Sequence, residues 1–485
     1  MLEVKSERGN SKIALKAGFW YVFSTFLTKG LAFITTPIFA RLMTENDYGE
    51  FSNFANWQSI LLIIFGVEIY NTLSRAYYDY TDEYDQYSST VTIISFFLIF
   101  AAYFVFQLCG NWIYNIVSIP KQFVNLMFFT MLFQACKQIY LTKERTLYRY
   151  KTVAIISILS LGIPTVLSVI LTAIVPEADR LAGRMYGFYI PYAFIGVYCT
   201  AVLLWKGKSF NRKYIKYAFV LAVPLQIHYL TTYLLTSTNT IITKSVLGAE
   251  TAAAVSITTS ITNILVALFQ AVTGALTTWV MDKLEQKEYA QVRKCGTVFA
   301  GITAVIAIGI MLLGPEAIWI FGSSKYANAA GLIPGLISAV FLQTVATLFT
   351  IILTYDKNVV RTAIVTGFVA VVSIAIKALC LASYGIKILP IINMVSFAVI
   401  FIANCILVYR AGYGECIDLR AFAMISVSVL AVMISCYFLY NHFAIRCILI
   451  GICAATTIIT LYKTKNRWMK LLKKRTQNNT NREVR

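Results

Sequence analysis

Four ionisable side chains stand inside long apolar runs of the chain: Lys29, Lys137, Lys377 and Glu68. Such a group in hydrocarbon costs at least about 2.5–3.5 kcal/mol, so it faces a cavity, finds a partner or snorkels to an interface. Lys29 lies near the middle of the first run, between Trp20 and Arg41, with a stem too short to reach either end comfortably. It reads as a cavity-facing ammonium able to hold a phosphate as a point charge, or as a structural lysine paired within its bundle. Lys137 and Lys377 lie nearer the ends of their runs, so snorkelling and a cavity role are both open. Arg41 and Arg75 bound the first and second runs, where an interfacial arginine is routine and one beside an entrance has a binding use. Glu68, with Arg75 seven residues on along one expected helical face, reads as a proton- or sodium-responsive carboxylate or as a local ion pair. His228 can protonate near neutrality, although its aromatic neighbours Tyr229 and Tyr233 also suit a packed histidine. Together with Thr232, Asn239, Asn263 and Gln270 it could line a hydrated lumen and meet sugar hydroxyls; the same residue types also knit membrane helices together.

The elements that position these groups are apolar spans. Of 485 residues, 58% are hydrophobic and 13% charged, and mean hydropathy is +0.70, against about 25% charge in soluble domains. Runs of about 20 apolar residues cross a bilayer as helices, because lipid offers the backbone no other partner. Fourteen such runs are expected: 15–40, 52–74, 90–110, 121–142, 152–175, 185–205, 217–243, 251–279, 296–313, 329–354, 360–382, 388–409, 421–440 and 443–462. The fold class is therefore all-α and polytopic, with all connections too short for a separate domain. The polar segment 1–14, with no cleavable signal behind it, is expected in the cytoplasm, as is the basic tail 463–485.

The formal net charge of +20 would suit a nucleic-acid binder if it gathered on a soluble face. It does not. With alternate connections assigned to the two sides of the membrane, 31 of the 42 basic residues fall on one side, 8 on the other and 3 within spans. That asymmetry puts the basic side, with both termini, in the cytoplasm. The eight on the sparse side are Arg41, Lys121, Arg180, Arg184, Lys244, Lys325, Lys387 and Arg446.

Catalytic chemistry finds no footing. The 10 cysteines are scattered without a C-x-x-C, there are 2 histidines, and neither a phosphate-binding glycine-lysine loop nor a nucleophile–base pair is present. No metal or cofactor is expected beyond a possible coupling proton or sodium ion.

An internal repeat divides the spans. At an offset of 204, Leu42 to Ser52 aligns with Val246 to Ser256, and at 210, Lys151 to Ile155 aligns with Arg361 to Val365. A six-span period preserves orientation, giving parallel lobes 15–205 and 206–410, followed by two extra spans in 411–462.

Several stretches in this frame resemble a known family. Pro37-Ile38-Phe39-Ala40-Arg41-Leu42-Met43-Thr44-Glu45-Asn46-Asp47-Tyr48-Gly49 resembles P-x-x-A-R-L-L-x-x-x-x-Y-G, and Ala76-Tyr77-Tyr78-Asp79-Tyr80 an aromatic segment closing the second span. Lys143 to Lys151, Trp279 to Leu284 and Phe321-Gly322-Ser323-Ser324-Lys325-Tyr326-Ala327 follow in the same order. The chain thereby resembles Wzx-type lipid-linked oligosaccharide flippases, polysaccharide transporters of the multidrug/oligosaccharidyl-lipid/polysaccharide exporter superfamily. One departure stands out: where that family often has an Asp-Arg pair late in the seventh span, this chain has Asn239-Thr240.

The resemblance implies a bacterial cytoplasmic-membrane protein that moves undecaprenyl-pyrophosphate-linked oligosaccharide (an O-antigen, capsule or exopolysaccharide unit) by alternating access. A glycan polymerase and other assembly proteins would be its partners, and nucleic acid would not. Lys29, Arg41, Arg75, Lys137 and Lys377 are the cations expected to meet pyrophosphate. A multidrug or cation antiporter of the same superfamily is the main alternative, though such exporters want acids in the lobes. A membrane glycosyltransferase, polymerase or ligase is disfavoured by the missing large outer loop.

Overall fold

The computed structural model describes residues 30, 31, 33–356 and 359–452, and all regular structure among them is helical. Lys29, the start of the first span, the end of the fourteenth and the basic tail lie outside the described residues. The helices are α1 (Phe33–Leu42), α2 (Glu45–Gly66), α3 (Leu73–Asp79), α4 (Tyr84–Val117), α5 (Lys121–Thr146), α6 (Tyr150–Ile174), α7 (Arg180–Gly207) and α8 (Arg212–Leu247). They continue as α9 (Ala249–Glu285), α10 (Tyr289–Leu312), α11 (Gly314–Gly322), α12 (Ile333–Tyr355), α13 (Val359–Tyr384), α14 (Ile388–Arg410), α15 (Leu419–Leu439) and α16 (Phe443–Ile452). Each expected span has a helical counterpart, whole or in part. The protein is an all-α polytopic membrane protein of two parallel six-helix lobes with two further helices.

Local chemistry sets the boundaries. Thr44 opens α2 by accepting the backbone N–H of Asp47 at 3.1 Å, Asn211 opens α8 through Lys213 N–H at 3.0 Å, and Asp418 opens α15 through Ala421 N–H at 3.1 Å. Each satisfies a donor that the first helical turn leaves without a partner. The second span corrects the sequence reading. It is not one rod: Val67 and Glu68 take left-handed backbone angles, φ 52° and 48°, and the chain bends by 51° between α2 and the 3-10 turn leading into α3. Glu68 therefore sits in the break, and the continuous helical face expected to join it to Arg75 does not exist.

The repeat places two equivalent helices against each other. Ser52 of α2 and Ser256 of α9 are hydrogen-bonded at 2.8 Å between their hydroxyl oxygens. Their separation of 204 residues is the offset of the repeat, so equivalent residues meet where the two lobes touch. The helices cross closely because Gly49 lacks a side chain; a Cβ there would lie 1.9 Å from the carbonyl oxygen of Ala249. Lys151 and Arg361, equivalent in the second alignment, both stand in the first turn of their helices, α6 and α13.

The apolar core of the second lobe extends across the lobe contact to Phe39, Ala40, Met43 and Tyr48 of the first. In the second, α12 is buried along most of its length between α9, α10, α14 and α15, whereas α15 leaves most of its own surface exposed. The first lobe has two further clusters of its own, one at each end, and the opening turns of α8 (Tyr214, Ala218, Ala222) pack into the cluster at the basic end. Helix α8 is thus shared by both lobes.

Candidate functional site

Four helices of the second lobe converge on a cleft. Leu235, Thr236 and Asn239 come from α8, Thr259, Thr262, Asn263 and Val266 from α9, Leu336, Ala339, Val340 and Gln343 from α12, and Asn393 and Phe397 from α14. The lining is neutral, half hydroxyl or carboxamide and half apolar. Asn239 and Asn393 are both buried, and among the described residues the side-chain oxygen of each has no hydrogen-bond partner. A buried carboxamide oxygen without a donor costs free energy until something supplies one, so the cleft is prepared for hydroxyl or amide donors.

The residues expected from sequence distribute unevenly around it. Asn239 and Asn263 line the cleft together. Gln270 is exposed about two turns farther along α9. The side chains of His228 and Thr232, like Lys29, lie outside what is described. Lys377 is fully buried in α13 and donates to the carbonyl of Leu235 at 3.2 Å, one helix layer behind the cleft wall. Lys137 is buried within the first lobe, donating to the Tyr192 hydroxyl at 2.6 Å with that ring's centroid 4.0 Å away. Glu68 accepts from the Asn71 carboxamide at 3.0 Å. Arg75 is exposed and paired with Asp79 at 3.1 Å. None of these charged groups lines the cleft. Sequence reasoning passed over Gln343 and Asn393, although carboxamides within the strongly apolar tenth and twelfth spans were a legible signal.

Arg41 marks a second arrangement, a seam between the lobes at the sparse end. Its guanidinium donates to the carbonyls of Trp319 and Ile320 at 3.2 and 3.0 Å, capping α11 of the second lobe from α1 of the first. Lys244, at the end of α8, is half-buried; it pairs with Glu50 of α2 at 2.6 Å and also donates to the backbone carbonyl of Ser118. The Tyr48 and Tyr326 rings meet across the seam, centroids 6.4 Å apart. Ser323, at φ 70°, turns the chain so that Tyr326 folds back inward, and Gly322 leaves the space its ring occupies. Two stretches quoted above for their resemblance, Arg41 to Gly49 and Phe321 to Ala327, therefore converge here from distant parts of the chain.

The remaining ties at this end are local. Arg180 donates to the Leu42 carbonyl at 2.6 Å. Arg446 reaches Glu316 at 2.7 Å and the Leu312 carbonyl at 2.9 Å. Burial pushes the Glu316 carboxyl up, but the bond from Arg446 and a backbone N–H outweigh it and hold that carboxyl below its ordinary value.

The two lobes, meeting at equivalent residues, give a fold shared with known structures. The fold is similar to a structure described as "Lipid II flippase MurJ, inward closed conformation", at 15% identity and TM-score 0.69, covering 92% of this chain and 98% of that one. It is similar to an inward-facing multidrug resistance MATE family transporter at 14% identity and TM-score 0.57, covering 79% and 95%. It is also similar to a superfamily transporter from Pyrococcus furiosus at 13% identity and TM-score 0.58, covering 83% and 96%. No curated protein matches the sequence. The family model described as polysaccharide biosynthesis protein matches residues 14–280, more than half of the chain. The chain belongs to the polysaccharide biosynthesis protein family, and its fold is one also found in the flippase and transporter structures above.

Proposed function

We propose that this protein is a flippase that moves undecaprenyl-pyrophosphate-linked oligosaccharide across the bacterial cytoplasmic membrane by alternating access. The observation that carries this reading is the family match over residues 14–280 on a two-lobed flippase-like fold. The sparse end is the outer face and the basic end the cytoplasmic one, as the charge asymmetry requires. With Arg41, Lys244 and the Ser52–Ser256 contact drawn together, the lobes are closed outward. A hydroxyl-rich sugar finds donors and acceptors in the cleft, where Asn239 and Asn393 offer open carbonyl oxygens. Lys29 supplies a cation for the pyrophosphate, while the polyprenyl tail stays in lipid. Lys377 adds positive charge from behind the cleft wall, and Lys137 from within the first lobe. Coupling to a proton or sodium gradient, with Glu68 as responsive carboxylate, belongs to the same proposal.

The test is transport of a defined undecaprenyl-pyrophosphate-linked sugar in proteoliposomes, with and without an ion gradient. Translocation by the wild-type chain, lost in Lys29→Ala and Lys29→Glu and retained in Lys29→Arg at equal protein levels, supports the reading. Full activity of the first two variants removes the cationic lumen. The likeness to multidrug transporters favours one second reading, a drug or cation antiporter. Export of cationic dyes without sugar–lipid translocation in the same vesicles would select it.

A further inference from the structure

Arg184 is buried at the outer seam under unusual terms. Its guanidinium carbon lies 3.5 Å from the centroid of the Phe51 ring, 4.0 Å from Phe39 and 4.8 Å from Tyr48. One terminal nitrogen is 3.3 Å from the Met43 sulfur, and Nε is buried without a hydrogen-bond partner. Among the described residues no carboxylate pairs with it. Four other basic side chains at this end are answered by oxygen: Lys244 by Glu50, Arg446 by Glu316, Arg41 by backbone carbonyls, and Arg180 by the Leu42 carbonyl and Glu177. A guanidinium carries five donors in a planar fork whose natural complement is a carboxylate or phosphate. Arg184 instead has ring faces, a thioether and the Tyr48 hydroxyl. The charge is held, but Nε is left without an acceptor.

The geometry of the cage says when that changes. Phe39, Tyr48 and Phe51 belong to the first lobe, as does Arg184, but the outer side of Tyr48 is covered by Tyr326 of the second lobe. The Tyr326 hydroxyl is itself buried without a partner, so little polar bonding holds this cover down. Separation of the lobes at the outer face carries Tyr326 away and opens the cage toward the space between them. We infer that Arg184 is an anion receptor on the exit side of the pathway, sequestered while the seam is closed and taking phosphate oxygens of the lipid-linked cargo once it opens. This rests on the flippase reading above and adds a site to it. A ligand shifts a conformational equilibrium only through differential affinity for the two states. An anion that reaches Arg184 only in the open state has that difference, so cargo arrival favours opening of the outer seam.

The experiment uses the full chain in proteoliposomes, native cysteines replaced, with Ser52→Cys and Ser256→Cys as a reporter of seam closure. The rate of oxidative cross-linking is measured with undecaprenyl pyrophosphate, with undecaprenol and with inorganic pyrophosphate. In the parent, undecaprenyl pyrophosphate is expected to slow cross-linking at least threefold and undecaprenol to leave it unchanged. In Arg184→Gln the rate without lipid stays at the parent value and the response to the pyrophosphate lipid disappears; Arg184→Lys keeps part of it. If Arg184→Gln responds as the parent does, the anion site is refuted. A rate already slowed in Arg184→Gln without lipid also refutes it, because Arg184 is then only a pin that holds the seam. Equal slowing by inorganic pyrophosphate, lost in Arg184→Gln, overturns the lipid headgroup as the source and assigns the site to free anion. Translocation of the lipid-linked sugar by the parent is read in the same vesicles. A parent that translocates but shows no seam response sinks this proposal and leaves the flippase reading standing; one that does not translocate sinks that reading.

Discussion

At the sparse end of the bundle, side-chain bonds run from one lobe to the other: Arg41 to the end of α11, Lys244 to Glu50, Ser52 to Ser256. At the basic end the described bonds stay within a lobe or pass through α8. Lys143 meets Asp85 at 2.5 Å and Arg149 meets Glu144 at 3.3 Å inside the first lobe; Tyr355 meets Glu285 at 2.6 Å inside the second. Tyr214 and Tyr217 tie α8 to Glu83 and Asp79, each at 2.6 Å. The contrast teaches where the molecule is hinged and where it is latched. On the proposed alternating-access reading, ties that cross lobes break as access alternates, whereas ties within a lobe travel with it. The shared helix α8 joins the lobes at the basic end and carries the latch residue Lys244 at the other.

Substitutions that attack the latch should therefore have large effects, and those at the basic end small ones. The largest is expected from Gly49→Leu, since even a Cβ would lie 1.9 Å from the Ala249 carbonyl oxygen and backbone cannot yield as a side chain can. Cross-linking of cysteines at 52 and 256 should fall at least tenfold at normal protein levels; an unchanged yield would mean that α2 and α9 do not cross as described. Next comes Lys244→Ala, which leaves the carboxylate of Glu50 half-buried and alone and should cost roughly 3 kcal/mol, read as a lowered Tm in detergent. The double variant with Glu50→Ala should recover part of that loss, and additive losses would show the pair to be uncoupled.

The legibility of these features in the sequence follows their physics. Spans and repeat were readable because burial in lipid imposes a 20-residue apolar signature, and a repeated fold keeps its landmarks at a fixed offset. The bend at Val67–Glu68 was not, since neither residue type favours a left-handed backbone and the lone Gly66 before them is tolerated within membrane helices. Two of the cleft's four carboxamides were picked out, Asn239 and Asn263, standing among other polar residues of their spans. Gln343 and Asn393 carried a signal as carboxamides in strongly apolar spans, but with sparser polar neighbours to reinforce it they were passed over. For Lys137 snorkelling and a cavity role were both open, because the partner it meets, the Tyr192 hydroxyl, lies 55 residues away. The seam was the least legible part. Most of its basic residues answer to backbone carbonyls, those of Trp319, Ile320, Ser118 and Leu42, and no side-chain pattern records which carbonyl a fold will bring near.

Two smaller effects sharpen the comparison. Arg75→Ala removes an exposed pair with Asp79, and exposed pairs contribute little; the expected outcome is an unchanged Tm and an export loss below twofold, whereas a collapse of export would move the functional centre to the basic end. The smallest concerns pH. Because the folded Glu316 carboxyl is held below its ordinary value of 4.5, its bond to Arg446 contributes fully above that value and is lost as pH falls through the lower folded one. Tm should accordingly drop between pH 5 and pH 3, and Glu316→Gln should remove a small part of that drop. An identical profile in the variant would show that the pair is not formed in solution.

The most direct measurement joins closure to transport. Proteoliposomes holding the Ser52→Cys, Ser256→Cys chain are oxidised, loaded with a fluorescent undecaprenyl-pyrophosphate-linked oligosaccharide and assayed for its movement between leaflets. Translocation that stops on disulfide formation and returns on reduction is the predicted result. Undiminished translocation with the disulfide fully formed would contradict the claim that this seam must open for the cargo to cross.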